Sequence, residues 1–357
     1  MTLSSPSNPF LAGQRITDSR FFVGRQEELE RITVGIFGAQ RVSINLVGRR
    51  LIGKSCLLYH FFQSWEQWVE DRESYVVIYV SLQEARCQRE EEFYYAVGQQ
   101  LWHCPLVQAK AALVEPLRVR PFNRFAFSST LGNWKRQGVV AVICLDDFEV
   151  LLRYPREFND SFFDNLRSLV DSSALMLVLA SHRQLSAYRH RHQLKSSFFQ
   201  MAQVIPLGEF KDEEAQELVC LPRGKIPDGE AALSKKEQKL VLQLGGCHPF
   251  LLQLAASLLW EARQQGRDVN WAKSQFELEA RRVPGYSFNP RQGKHLWRLL
   301  FWLPLTLGRF VRGVRGTVDE VGNLLTGLMI LMVVMVAVVG VLNWQNLLEL
   351  LQGLLGR

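Results

Sequence analysis

The sequence predicts an α/β protein: a mostly parallel sheet with helices on both faces, then a small helical lid and a C-terminal transmembrane helix. Three observations predict it. Five short apolar runs alternate with helical patterns, the signature of a parallel sheet covered on both sides. Gly48-Arg49-Arg50-Leu51-Ile52-Gly53-Lys54-Ser55 is a complete G-x-x-x-x-G-K-[ST] phosphate loop between the first such run and a helix, which makes the fold a P-loop NTPase. The stretch from Val321 to Leu348 contains no charged residue, and Leu324 to Leu342 is almost wholly apolar, long enough for the ~20 residues a bilayer core requires.

Residues 1–20 read as a polar lead-in with Pro6, Pro9 and Gly13. The NTPase domain spans 21–208. It opens with a helix over Gln26 to Phe37 and carries strands over Val42 to Val47, Tyr75 to Val80, Val139 to Leu145, Leu175 to Ala180 and Ala202 to Leu207. Each is a buried-strand length of apolar residues. The clearest intervening helices are Cys56 to Phe62, Glu91 to Trp102 and Phe162 to Val170. After Gly208 only helical patterns remain: Asp212 to Val219, Lys235 to Leu244, Pro249 to Gln264 and Trp271 to Arg282 form a lid over 209–284. Pro284-Gly285 and Asn289-Pro290 then break the pattern.

A basic juxtamembrane segment (285–320), the membrane helix (321–344) and a short tail (345–357) complete the chain. Within the first of these, His295 to Val314 mixes Leu, Trp and Phe with basic residues and suits the headgroup plane of an anionic lipid surface. Arg309, Arg312 and Arg315 precede the apolar run, so the positive-inside rule places the NTPase body in the cytoplasm, single-pass, on a bacterial inner membrane.

The net charge of +7 and pI near 9.2 do not indicate a nucleic-acid partner. From Arg291 onward seven basic side chains stand against three acidic ones, so +4 of the excess belongs to the tail and the body is close to neutral. The six scattered cysteines contain no C-x-x-C pair and read as buried thiols of a reducing compartment. The N-terminus lacks the apolar core of a cleaved signal peptide.

Chemistry concentrates around the phosphate loop. Gly48 and Gly53 let the backbone wrap phosphates, and the N–H groups around Ile52, Gly53, Lys54, Ser55 and Cys56 point at them from a helix N-terminus. Lys54 reaches the β- and γ-phosphates of ATP or ADP, and the Ser55 hydroxyl binds Mg²⁺. Asp146 and Asp147 follow the third apolar strand: Asp146 is placed to hold the Mg²⁺ shell through water and Asp147 to orient or deprotonate the attacking water, with Glu149 either a further support or the exposed first turn of a helix. Ser181-His182-Arg183 ends the next strand, where Arg183 can stabilise the γ-phosphate bidentately.

With these motifs in chain order, the sequence resembles the STAND class of P-loop NTPases, bacterial AAA-like members in particular. The resemblance runs from about Asn8 to Arg282. It is carried by Asn8-Pro9-Phe10, Phe21-Phe22-Val23-Gly24-Arg25-Gln26-Glu27-Glu28-Leu29, the phosphate loop, Leu145-Asp146-Asp147-Phe148-Glu149, Ala180-Ser181-His182-Arg183 and Gly246-Cys247-His248-Pro249-Phe250. It implies that Val23, Gly24 and Arg25 line the adenine side and that Pro249 presses on the base from the lid. It also implies a homo-oligomeric ATP switch, coupled here to a membrane segment and answering an unidentified protein trigger. The chain departs from the class in its Asp-Asp pair, where many relatives carry Asp-Glu, and in lacking a long repeat array. An envelope or secretion-complex assembly ATPase is the alternative.

Overall fold

Five strands, β1 (Ile44–Val47), β2 (Tyr75–Ser81), β3 (Val140–Asp146), β4 (Leu175–Ser181) and β5 (Gln203–Pro206), form one wholly parallel sheet in the order β2-β3-β4-β1-β5. The computed structural model describes residues 8–83, 87–221 and 231–284, all within one compact unit. The expected interfacial segment, membrane helix and tail lie outside the described residues. Among the described residues, no helix is long and apolar enough to cross a membrane.

Side chains alternate strictly across the sheet. Val76, Ile78, Ala141, Ile143, Leu175 and Leu177 face one layer, and Val77, Tyr79, Val142, Cys144, Met176 and Val178 face the other. The first layer is built by α3 (Glu90–His103), α4 (Pro105–Ala109), α5 (Ala111–Val114), α6 (Arg124–Arg136) and α7 (Asp160–Asp171). Its centre is aromatic: Phe93, Phe158, Phe162, Phe163 and Phe198 meet largely edge to face. The second layer is α1 (Gln26–Phe37) and α2 (Lys54–Ser64), which bury Leu29, Ile32, Ile36, Leu57, Leu58 and Phe61.

α1 follows directly from its sequence. Glu27 and Glu28 favour the first turn, the apolar stripe repeats at helical spacing, and Gly38 closes it. β1 begins two residues later than the apolar run because the Val42 N–H turns back to the Gly35 carbonyl (2.8 Å). The stretch 105–136, to which the sequence reading assigns no element, holds α4, α5 and α6. In α6 the poor helix formers Ser128, Ser129, Thr130, Gly132 and Asn133 are outweighed by burial of Phe127, Leu131 and Trp134 on one face.

α8 (Leu185–Arg191) packs beyond β4, and α9 (Asp212–Val219), α10 (Lys235–Gly245), α11 (Pro249–Gln264) and α12 (Val269–Ala280) make the lid, with a core of its own. The lead-in belongs to that core. Phe10 is fully buried among lid residues, Asn8 Nδ2 donates to Ser257 Oγ (2.9 Å), and the Leu11 N–H donates to Gln253 Oε1 (3.0 Å). Residues 8–16 are thus a strap lying on α11.

Candidate nucleotide site

The phosphate loop leaves β1 at Gly48, where a Cβ would lie 2.8 Å from Ile52 Cγ2 and 2.9 Å from the Leu207 carbonyl. Gly53, at φ +97°, starts α2 in a backbone conformation that other residues resist. Lys54 Nζ is held over the loop by the Gly48 and Arg49 carbonyls (2.9 and 3.0 Å). Burial lowers its pKa, while Glu149, Asp147 and Asp146 work against that shift.

Because β4 lies between β1 and β3, the acids of β3 reach the loop across one strand. Asp146 shares the α1/α2 face with Cys144 and is buried. Its Oδ1 accepts from Ser55 Oγ (3.0 Å) and from the Asp147 N–H (3.0 Å), and its Oδ2 accepts from the Tyr79 hydroxyl (2.6 Å). Burial, reinforced by Asp146, raises the Tyr79 pKa far above its ordinary value, so it stays a donor. Arg15 of the strap lies over the rings of Tyr79 and Tyr59 (4.8 and 5.0 Å). A hydroxyl and a carboxylate 3.0 Å apart are hard oxygen donors that fit Mg²⁺, which binds one or two protein oxygens beside the nucleotide phosphates. Among the described residues no group of three or more His, Cys, Asp or Glu could hold a metal by itself.

Asp147 adopts a left-handed backbone (φ 55°), and its carboxyl is pushed up to about 6, first by burial and then by Asp146 and Glu149. Glu149 follows on the 3-10 turn Phe148–Arg153, where its Oε1 accepts from His182 Nδ1. Burial pushes the His182 imidazole down, and Glu149 opposes the shift. The turn that carries His182 is fixed from below. Asn45 Nδ2 on β1 donates to Ser181 Oγ (2.8 Å), Asn45 Oδ1 accepts from the Leu185 N–H (3.3 Å), and Ser181 Oγ donates to the Arg183 carbonyl (2.7 Å).

These elements enclose a cavity of about 440 Å³ between the loop, the strap and the lid. Val23, Arg25, Ile52, Gly53, Lys54, Ser55, Cys56, Asp147 and Pro249 line it. Gly24, Gly48, Asp146 and Arg183 lie outside its wall. Asp146 stands behind Ser55, and Arg183 is exposed, its neighbour His182 being the one that faces the cavity.

Gly24 (φ +69°) permits a close approach, since a Cβ there would sit 2.7 Å from Glu214 Oε1 on α9. Arg25 is a clip rather than a loose cation. Its guanidinium binds Glu28 (2.9 Å) and the carbonyls of Gly208 (2.6 Å) and Ile52 (3.3 Å), lies over Phe210, and its backbone N–H donates to Glu214 (2.6 Å). Sequence reasoning passed over Arg15, Tyr79, Arg153 and Phe210, and it quoted Phe21 and Phe250 within motifs without giving them a place in the apolar wall.

No protein-family model and no curated protein matches this chain. Solved structures do. The Walker-type ATPase PABY2304 of Pyrococcus abyssi superposes with a TM-score of 0.57 at 16% identity, over 90% of this chain and 93% of that one. The ORC2 protein of Aeropyrum pernix, solved in ADPNP–ADP complexes, gives 0.53 at 15% identity, over 90% and 83%. At such identities the likeness is one of fold, an α/β P-loop NTPase fold.

Proposed function

We propose that this protein binds ATP with Mg²⁺ and hydrolyses it as a switch, the lid and strap closing over the base and the loop holding the phosphates. One observation carries the reading: Lys54, Ser55 and Asp146 are assembled at the mouth of α2, beside a cavity whose far wall is apolar. Lys54 would meet the β- and γ-phosphates, and Ser55 and Asp146 would hold Mg²⁺, which would supply charge neutralisation there. Val23, Phe210 and Pro249 give the base a flat apolar seat. A carboxylate beside the γ-phosphate takes the proton of the attacking water, and Asp147 is the one to which the strand-end pattern points.

The uncharged run after Val321 makes the switch a membrane-anchored one, of the STAND type, in which assembly of copies acts on the membrane segment in signalling or defence. Calorimetry of the purified full chain with ATP, with and without Mg²⁺, tests the first part. Binding that ignores Mg²⁺, or no binding, overturns it. Carbonate extraction tests the anchor. The full chain should stay with membranes, and a chain ending at Tyr286 should wash off while still binding ATP.

A further inference from the structure

Two acids follow β3 at the cavity, and their surroundings differ. Asp147 is tied to the Mg²⁺ side, its backbone N–H donating to Asp146 from a left-handed conformation. Its side chain is also the shorter by one methylene. Glu149 stands one short turn further on and lines the same cavity. Its Oε1 accepts from His182 Nδ1, and its Oε2 is buried with no hydrogen-bond partner among the described residues. A carboxylate oxygen in that position is costly unless it has a use, because water that would solvate it is excluded and nothing replaces it. Of the three carboxylates that act on the Lys54 ammonium, Glu149 does so most strongly, ahead of Asp147 and Asp146. His182 also lines the cavity, on a turn locked by the buried Asn45–Ser181 bond.

We propose that Glu149, rather than Asp147, accepts the proton of the water that attacks the γ-phosphate, and that His182 is the residue that positions it. The inference rests on the hydrolase reading above. The water oxygen forms a bond to the γ-phosphorus as its proton passes to Glu149 Oε2. The bond from the γ-phosphorus to the bridging oxygen breaks, and its electron pair leaves on the β-phosphate of ADP. The proton then leaves Glu149 for the inorganic phosphate. Glu149 lines the cavity, and its side chain must turn from the described position to bring the buried Oε2 to the water. His182 engages Oε1 and so leaves Oε2 as the oxygen open to the water's proton. Asp147 remains part of the Mg²⁺ side.

The test is phosphate release by the full chain with MgATP, alongside nucleotide binding measured by calorimetry. Glu149→Gln should bind MgATP within about twofold of the parent and lose turnover by about 100-fold or more, the span general-base removal gives. Asp147→Asn should lose less than Glu149→Gln. His182→Ala should lower kcat with KM unchanged, and His182→Asn, which keeps a donor for Oε1, should restore most of it. Glu149→Asp keeps the charge and shortens the reach. It should lose turnover as well, and it decides the matter if the Gln variant does not fold. Turnover of Glu149→Gln within about threefold of the parent, or a larger loss in Asp147→Asn, overturns the assignment alone. A parent that binds MgATP and never releases phosphate overturns the assignment and the hydrolase reading together.

Discussion

The two ends of the cavity are built in opposite ways. The phosphate end comes from contiguous chain. Gly48 to Ser55 supplies loop, lysine and hydroxyl, and one strand end two positions across the sheet adds Asp146. Its polar groups are densely bonded, with both Asp146 oxygens engaged by Ser55, Asp147 and Tyr79. The base end is assembled from the strap and the entry to α1 near the start of the chain and from the lid about 200 residues later. It is held mainly by apolar contact and by the Arg25–Glu214 junction. The difference separates two tasks. A dense polar network fixes charges where a phosphate and a cation must meet. A wall drawn from separate segments can register whether a nucleotide is present if, as proposed, the base meets all of them together.

Breaking the phosphate end should have the largest effect. Lys54→Ala removes a charge-assisted contact worth about 1.5–3 kcal/mol, so ATP affinity should fall roughly 10- to 100-fold in calorimetry. Equal affinity in mutant and parent would place the phosphates elsewhere. Breaking the base end should act on stability instead. Gly24→Ala forces a side chain into a left-handed position 2.7 Å from Glu214 Oε1 and should cost about 1–2 kcal/mol, lowering the melting temperature while leaving the loop intact. A Gly24→Ala protein as stable as the parent would mean that α1 and α9 do not meet there.

The same contrast explains what could be read in the sequence. The phosphate end was legible because spacing alone specifies it, and the strands were legible because a buried parallel strand is a short apolar run. The structure places all five within two residues of the expected bounds. Tyr79 was hidden, being one aromatic in a strand whose every residue is apolar or aromatic until Ser81. Its role depends on pairing β2 with β3, and sheet order is a long-range property. Arg15 was hidden in a polar lead-in, because the contacts that fold the lead-in, Asn8, Phe10 and Leu11, are made with a lid some 240 residues later. His182 and Arg183 are neighbours of similar chemistry. Which one faces the cavity is decided by the Asn45–Ser181 bond, which no local pattern reports. The membrane helix is a sequence expectation of another kind, resting on composition over residues outside those described.

The acids clustered beside the phosphate loop should themselves weigh against the fold, and Asp147 measures by how much. Its folded-state value of about 6 lies above the ordinary 3.8, with burial the main cause. Below about pH 4 the carboxyl is protonated in both states and exacts nothing. As pH rises towards 6 the unfolded chain ionises first, and stability is lost through that window. Asp147→Asn should therefore stabilise the nucleotide-free protein at pH 7.5 by about 1 kcal/mol, solvent screening of a half-exposed group having trimmed the effect, and the gain should vanish near pH 4. A pH-independent gain would point to packing, and a loss would show that Asp147 is stabilised by partners rather than opposed by like charges.

The smallest effect should come from the place where the two ends meet. Arg15 belongs to the strap, yet its guanidinium lies over Tyr79, whose hydroxyl binds Asp146, and over Tyr59 on α2. Arg15→Ala removes two cation–π contacts, together worth about 0.5–1 kcal/mol at a partly open site. A structural loss alone would lower the melting temperature equally with and without nucleotide. If the strap carries the state of the base to the Mg²⁺ side, the variant should also weaken the dependence of ATP affinity on Mg²⁺, because Tyr79 would hold Asp146 less firmly. Arg15→Lys keeps the charge without the planar stacking surface and should recover part of the stability. A titration of ATP affinity against Mg²⁺ separates the outcomes. Parallel curves for parent and Arg15→Ala would leave the strap as a clamp on the lid alone, and a flattened curve would join the two ends of the cavity through one arginine.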